Sequence, residues 1–285
     1  MKSKKIKITF IFLCVFTLVF SIGFNKKISH ASKLQTIPVL MYHHFADESE
    51  GNATVTKSEF KKQVKYLRDN NYTTITVKDL IAFKEGKKTL PKKSVLITAD
   101  DGYLSNYEFM YHILKQNNMK ATISVIGKEI DNAERNIKLG IGFSKYFDWK
   151  QAKEMYNSGV IDIQSHTYDS HYKADTTNGV RGVFSKPLKY ESREAYIKRI
   201  DQDIKKSIQS IQKNLGYKPE AFVYPYGEFC QTSEQVLKQN GIKATFVINN
   251  RVVSNKNKNT YLLDRITVGG KDDLNTFIKK LNSQK

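Results

Sequence analysis

The segment Ser94–Gly102 reads SVLITADDG, and it carries the pattern that decides the fold. Val95, Leu96 and Ile97 form an uninterrupted apolar run, which is typical of a β-strand that is buried on both faces of a sheet. Asp100 and Asp101 follow this run almost at once. The segment therefore predicts a strand of a parallel sheet with two carboxylates at its C-terminal end.

Further short runs along the chain have the same apolar, β-branched character. They are Ile37–Tyr42, Thr73–Val77, Ala121–Ile126, Val160–Gln164, Ala221–Tyr224, Ala244–Ile248 and Leu262–Val268. Helical patterns lie between them; in the longest, apolar residues recur every three or four positions from Ile197 to Leu215, and Gly216 follows. Alternating strands and helices predict an α/β fold with a parallel sheet. We expect a single-domain, irregular (β/α) barrel of about seven parallel strands, with an open doubly wound sheet as the alternative.

In both folds, functional residues lie at the C-terminal ends of the strands. The two aspartates fit this rule. Adjacent carboxylates are costly there unless they are used, because like charges raise each other's pKa. Asp101 could cap a helix that begins near Leu104, but a cap explains one aspartate and not two. A bound cation explains both, since one carboxylate binds it while its charge keeps the other ionised.

A second polar segment, Ser165–His171, reads SHTYDSH and follows the strand-like run Val160–Gln164. One histidine alone would more often be a core or surface residue. Two histidines five positions apart at a strand end favour metal binding. Together with Asp101, His166 and His171 form a ligand set that leaves coordination positions open for water and substrate. Such a set is typical of a hydrolytic metal site.

Two weaker segments also close strands. Val39–His44 ends in the pair His43 and His44, which alone could be an ordinary loop. Tyr224–Glu228 reads YPYGE and predicts a turn, whose Tyr226 N–H could donate to the oxyanion of a reacting carbonyl.

Three long polar stretches are expected to be irregular loops, which are often functional. They are His44–Thr56, Lys128–Phe147 and Tyr172–Tyr190. Trp149 is expected to open a helix that ends at Asn157 and to pack in the core.

The four strand-end segments together resemble the NodB-type polysaccharide deacetylase family, carbohydrate esterase family 4, from about Ile37 to about Val268. The family motif T-F-D-D is matched by Thr98–Asp101, with Ala99 in place of Phe. The motif H-[ST]-x-x-H is matched from His166 to His171, with one extra residue in the spacing. This longer spacing and the YPYGE segment are similar to the poly-β-1,6-N-acetylglucosamine N-deacetylase branch.

The resemblance implies that Asp100 is the general base and Asp101 the carboxylate ligand of the metal. The acid histidine of many members follows the other motifs, whereas here Leu40–His43 resembles that motif near the start of the chain, so His43 takes the acid role. Asp264 is a candidate to orient His43.

A family arginine that stands two residues before the proline is replaced by Val223, and Arg265 is the candidate substitute. The remaining candidates are substrate contacts, for which aromatic rings can stack on sugar faces. They are Tyr103, Tyr168, Pro225 and Tyr226, the last also the expected oxyanion donor.

The expected reaction is metal-dependent hydrolysis of N-acetyl groups on an N-acetylglucosamine polymer, with release of acetate. The favoured polymer is poly-β-1,6-N-acetylglucosamine, and peptidoglycan or chito-oligosaccharides are the alternatives. The ligands favour one divalent ion, zinc first, with cobalt or nickel also fitting. Hypotheses of another class are a non-catalytic glycan-binding domain and a basic structural protein of the cell wall.

The first 31 residues are interpreted as a signal peptide, because lysines precede the apolar run Ile8–Phe24 and Ser29–Ala31 fits a cleavage site. An uncleaved N-terminal anchor is the alternative. Residues 32–285 would then be a secreted or cell-surface deacetylase domain. Without residues 1–31 the net charge falls from +19 to +13, which favours contact with anionic surface or wall polymers. We expect a monomer and no nucleic-acid partner.

Overall fold

Seven parallel strands close into a ring in the computed structural model, which describes residues 34–142 and 145–282. The ring strands are β1 (Val39–Tyr42), β2 (Ser94–Asp101), β3 (Ala121–Ile126), β4 (Ile161–Thr167), β5 (Ala221–Val223), β6 (Ala244–Ile248) and β7 (Leu263–Thr267). Each strand pairs with the next one along the chain, and β1 pairs with both β2 and β7. The predicted irregular barrel is confirmed, and the open sheet is excluded.

Short strands lie beside the ring. They are Thr36–Ile37, His44–Ala46, Thr54–Thr56, Thr73–Thr74, Lys173–Thr176, Gly179–Gly182 and Val253–Ser254. Thr73–Thr74 extends the sheet at β2, so one of the predicted strands stands outside the barrel. A bulge between Val125 and Ile126 adds to the irregularity.

Helices of the described residues lie between the ring strands along the chain, except α8, which follows β7. They are α1 (Lys57–Asp69), α2 (Val77–Lys84), α3 (His112–Gln116), α4 (Gly127–Leu139), α5 (Trp149–Asn157), α6 (Arg193–Leu215), α7 (Gln231–Gln239) and α8 (Leu274–Asn282). A π-helix, Asn106–Tyr111, leads into α3, and a 3-10 turn, Pro225–Gly227, follows β5. The longest helix, α6, begins at the cap Ser192 and ends at Gly216, whose φ is +79°.

Strand alternation directs the apolar side chains of the ring strands into separate clusters, of which there are three among the described residues. Side chains such as Leu40 and Ile97 point outward into a cluster that includes residues of the surrounding helices. Val39, Leu96 and Phe246 belong to a second cluster together with the apolar face of α2. The cluster with α2 lies toward the start of the strands and is apolar. Asp100, Asp101 and His166, in contrast, lie toward the C-terminal ends of their strands.

The predicted long loops contain more regular structure than their sequences indicate. The prediction that Lys128–Phe147 is irregular is wrong over most of this stretch, because α4 extends to Leu139. Only Ile130 and Ala133, with Gly127, are buried on α4, so its apolar face is too narrow to stand out. Tyr172–Tyr190 contains an antiparallel hairpin of the strands Lys173–Thr176 and Gly179–Gly182. His44–Thr56 begins and ends in two short paired strands.

The predicted signal peptide and its alternative, an anchor, lie outside the described residues. Across residues 34–142 and 145–282, no helix combines the length and apolar character that a membrane crossing requires. The chain from Leu34 onward forms one compact unit.

The packing of α6 against the barrel gives a first prediction. Ile204 is fully buried, so Ile204→Ala should lower the free energy of unfolding by about 2–5 kcal/mol through lost burial and a residual cavity. Gln202→Ala, an exposed change on the same helix, should stay within about 0.5 kcal/mol of the wild type. Urea denaturation of both variants measures the difference, and equal losses would contradict the assigned packing.

Candidate metal centre and active site

The C-terminal end of the barrel collects polar side chains from four strands. Asp100, His166 and Arg265 stand at positions of β2, β4 and β7 that alternate with outward-facing residues, and all three are buried. His43 follows β1 directly. Asp101 would face outward by simple alternation, but its φ of +74° breaks the pattern. Both carboxylates of the pair thus reach the same end of the barrel.

Asp100 is neutralised from across the barrel interior. The Arg265 Nη1 lies 2.7 Å from the Asp100 Oδ1, and both side chains are buried. Burial alone would raise the pKa of Asp100, but the charge of Arg265, helped by His166 and His43, lowers that pKa well below its usual range. Arg265 therefore supplies the cation that the sequence lacks at Val223, and Asp100 is ionised at neutral pH.

Asp101, His166 and His171 come together as the sequence predicts. The Asp101 Oδ1 lies 3.4 Å from the His166 Nε2 and 3.5 Å from the His171 Nε2. One nitrogen or oxygen of each residue falls within 4.8 Å of the other two. Two nitrogens and a carboxylate oxygen at this spacing could hold a divalent metal ion.

The electrostatics of these three residues also fit a metal ion. The Asp101 Oδ1 is buried and has no hydrogen-bond partner among the described residues. Burial raises the pKa of Asp101 to about 6, and it lowers the pKa of His166 to about 3 and that of His171 in the same direction. Neutral imidazoles beside an uncompensated carboxylate are suitable ligands for a cation.

His166 is oriented by the backbone of the next strand. Its Nδ1 lies 2.7 Å from the carbonyl oxygen of Val223, which directs the Nε2 toward Asp101. A hydrogen bond from the far nitrogen of a ligating histidine fixes its tautomer and ring direction. The side chain at position 223 is thus not the family arginine, but its carbonyl still serves the site.

The candidate acid, His43, faces Asp100 and not Asp264. The His43 Nε2 lies 3.9 Å from the Asp100 Oδ2, and the His43 side chain is 25% exposed. Asp264 instead accepts a hydrogen bond from Asn249 and pairs with the Arg251 Nε at 3.0 Å. Asp264 precedes the inward-facing Arg265 on β7 and so belongs to the other face of the strand. The expectation that Asp264 orients His43 is therefore corrected.

The turn after β5 places Tyr226 beside the histidines. Its φ is +58°, and hydrogen bonds from Gly227 N to Tyr224 O and from Glu228 N to Pro225 O hold the turn. The Tyr226 ring lies 4.9 Å from that of His171 and is 38% exposed. Pro225 is buried, so its predicted substrate contact would have to come through the turn it shapes.

Tyr103 borders both the metal ligands and a cleft of about 520 Å³. Burial, and next the charge of Asp101, raise the pKa of Tyr103, which keeps the phenol protonated. Tyr103 stacks on Tyr146 at 5.4 Å, and His44 meets it edge-on at 5.2 Å. Tyr146 could not be predicted from the sequence, because a tyrosine 43 positions after Tyr103 in a polar stretch carries no local signal.

Tyr168 lies elsewhere. Its hydroxyl donates to Asp131 at 2.9 Å, and its ring lies below the Lys206 Nζ in a different cleft of about 390 Å³ that Trp149 also lines. These contacts account for the ring without a sugar, and its substrate contact stays a prediction.

Comparisons with known proteins give a family match over more than half of the chain. The family model described as polysaccharide deacetylase matches residues 87–245, a stretch that contains Asp100, both histidine ligands and Tyr226. His43 and Arg265 lie outside it. The poly-β-1,6-N-acetyl-D-glucosamine N-deacetylase of Staphylococcus epidermidis is 33% identical over 230 residues, which cover 80% of this chain and 72% of the relative.

A more distant relative and a solved structure extend the comparison. The Escherichia coli K12 protein of the same name is 27% identical over 256 residues, which cover 85% of this chain. The match spans only 38% of that relative's length. The solved structure of a de-N-acetylase from Aggregatibacter actinomycetemcomitans has a TM-score of 0.75 and 25% identity, with 86% of this chain and all of that chain covered. On the family match and the Staphylococcus relative, this chain belongs to the polysaccharide deacetylase family.

Proposed function

We propose that this protein hydrolyses the N-acetyl groups of an N-acetylglucosamine polymer in a reaction that depends on one divalent metal ion. The observation that carries the proposal is the arrangement of Asp101, His166 and His171 beside the ion-paired Asp100. A bound ion, with zinc expected first, would polarise the acetamide carbonyl and make a bound water more acidic.

The chain's own groups supply the proton transfers. Asp100 is held ionised by Arg265 and can take a proton from the attacking water. His43, within 3.9 Å of Asp100 and partly exposed, can protonate the departing nitrogen. The Tyr226 N–H is the candidate donor to the oxyanion. Water adds to the carbonyl carbon, the C–N bond breaks, and acetate and an amino sugar leave.

A catalytic function is favoured over a purely glycan-binding one. Base, acid and all three ligands are present and close together, and Arg265 restores the charge that is missing at Val223. A binding domain would not need to bury an ionised Asp100 beside a metal site. A basic structural protein of the wall would need none of these groups.

The favoured polymer is poly-β-1,6-N-acetylglucosamine at the cell surface. It is supported by the names of the relatives, although the Escherichia coli relative is much longer than this chain. The cleft beside Tyr103, with Tyr146 and His44 on its wall, offers space for a neighbouring sugar of a bound polymer. Peptidoglycan and chito-oligosaccharides are the alternatives. The net charge of +13 without residues 1–31 supports contact with anionic surface polymers, in keeping with the proposed secreted or surface location.

The assigned roles predict two separable losses. Asp100→Asn should bind zinc like the wild type but lose about 10²–10⁴-fold in kcat, because the base is gone. His166→Ala should lose zinc as well as turnover. Acetate release and bound zinc are measured on both variants. The wild type is measured in the same way before chelation, after chelation and after zinc is added back. Asp47→Asn, an exposed carboxylate on the surface, is the control. Full activity in Asp100→Asn would contradict the mechanism.

The ion pair with Arg265 predicts a shift in pH dependence. Arg265 lowers the pKa of Asp100, so Arg265→Gln should raise that pKa and move the acidic limb of kcat/KM upward by about 1–3 pH units. Arg251→Gln removes an arginine that pairs with Asp264 and should leave the limb in place. Identical profiles for both variants would show that Arg265 does not control the base.

The polymer is identified by comparing linkages of equal length. Acetate release should be fastest from β-1,6-linked N-acetylglucosamine oligomers, and it should increase with chain length if the Tyr103 cleft holds a neighbouring sugar. Chitin oligomers and peptidoglycan serve as matched substrates, and faster release from either would replace the favoured polymer.

A further inference from the structure

The segment between the two histidine ligands is held by a carboxylate from α6. Asp203 accepts three hydrogen bonds from consecutive residues: from Tyr168 N at 2.9 Å, from Asp169 N at 2.8 Å and from Ser170 Oγ at 2.8 Å. These are the three residues that directly precede His171. Both oxygens of one side chain thus fix the approach to the second histidine.

The other side-chain contacts of this segment lie at the exposed surface, as in the pair of Asp169 with Lys128. Thr167 adopts a φ of +131°, which a threonine rarely adopts, and its buried Oγ1 has no partner among the described residues. Strained backbone of this kind persists only where its surroundings hold it. The segment is also one residue longer than the family pattern, which leaves more freedom in the placement of His171. An external anchor is therefore needed.

Burial of the Asp203 carboxylate has a cost in lost hydration. It is 9% exposed, and no ion pair to it is found within the described ranges. A buried carboxylate without a cation is unfavourable unless hydrogen bonds compensate for lost hydration, and the loop supplies all three of them. His166 does not share this dependence, since β4 and the Val223 carbonyl hold it.

We propose that Asp203 is a positioning residue that sets the affinity of the metal site by holding His171 against Asp101 and His166. The inference rests on the proposed metal-dependent function. The two histidines are then placed by different elements: β4 of the barrel places His166, and α6 outside the barrel places His171.

The test is zinc affinity of the metal-stripped, full-length protein, measured by competition with a chromogenic chelator. Asp203→Asn keeps the size of the side chain but offers one acceptor oxygen in place of two. Its zinc affinity should fall about 10–100-fold, the usual loss when a partner that orients a ligand is changed. Asp201→Asn is the matched control, because it alters a carboxylate of α6 that bonds only Lys205 and Asn240.

A general loss of stability is distinguished by two further variants. Ile204→Ala weakens α6 through packing alone and should keep wild-type zinc affinity. Ser170→Ala removes one of the three bonds and should lower affinity by a smaller factor, so it decides the matter if Asp203→Asn fails to fold. The proposal is overturned if Asp203→Asn keeps the zinc affinity of the wild type. If Asp203→Asn fails to fold, wild-type zinc affinity in Ser170→Ala overturns it. Absence of zinc binding in the wild type would instead reject the proposed function itself.

Discussion

Two consecutive carboxylates buried at the end of β2 are the constraint on which the site depends. Each needs a positive charge, and the two cannot share one. Asp100 takes the guanidinium of Arg265, which is itself buried in the barrel. Asp101 is left beside two neutral imidazoles, and its buried Oδ1 has no hydrogen-bond partner in the part of the chain that the structure describes. A permanent cation suits Asp100 for the proposed role of base, and two neutral imidazoles suit Asp101 for the proposed role of metal ligand.

Strained backbone conformations lie at the same end of the barrel as the two carboxylates. Asp101, Thr167 and Tyr226 all have positive φ values, and all three stand where a ring strand ends. Such conformations cost stability in residues other than glycine and gather at functional sites. At Asp101 this conformation turns a side chain that strand alternation would direct outward toward His166 and His171. The apolar cluster toward the start of the strands, in which α2 packs, contributes stability that offsets this cost.

Much of this arrangement could be predicted from local sequence. Strands that are buried on both faces appear in the sequence as apolar runs. Because the C-terminal ends of the strands in a parallel barrel lie at one end of it, Asp100, Asp101, His166 and His171 could be placed together. The role of Asp264 was wrong because Asp264 and Arg265 are adjacent, and no local rule says which of them faces the interior. Asp203 and Tyr146 were missed because each meets the site across more than thirty residues of chain. Their contacts depend on how α6 and the stretch after α4 pack, which periodicity does not reveal.

The pairing of β1 with β7 has a consequence for how such sites evolve. In a closed barrel the first and last strands are neighbours, so His43 and Arg265 both face Asp100 although they stand at opposite ends of the barrel sequence. Circular permutation of the chain would change the order of these segments without changing which side chains meet. The proposed acid role of His43 therefore depends on its place in space and not on its place along the sequence.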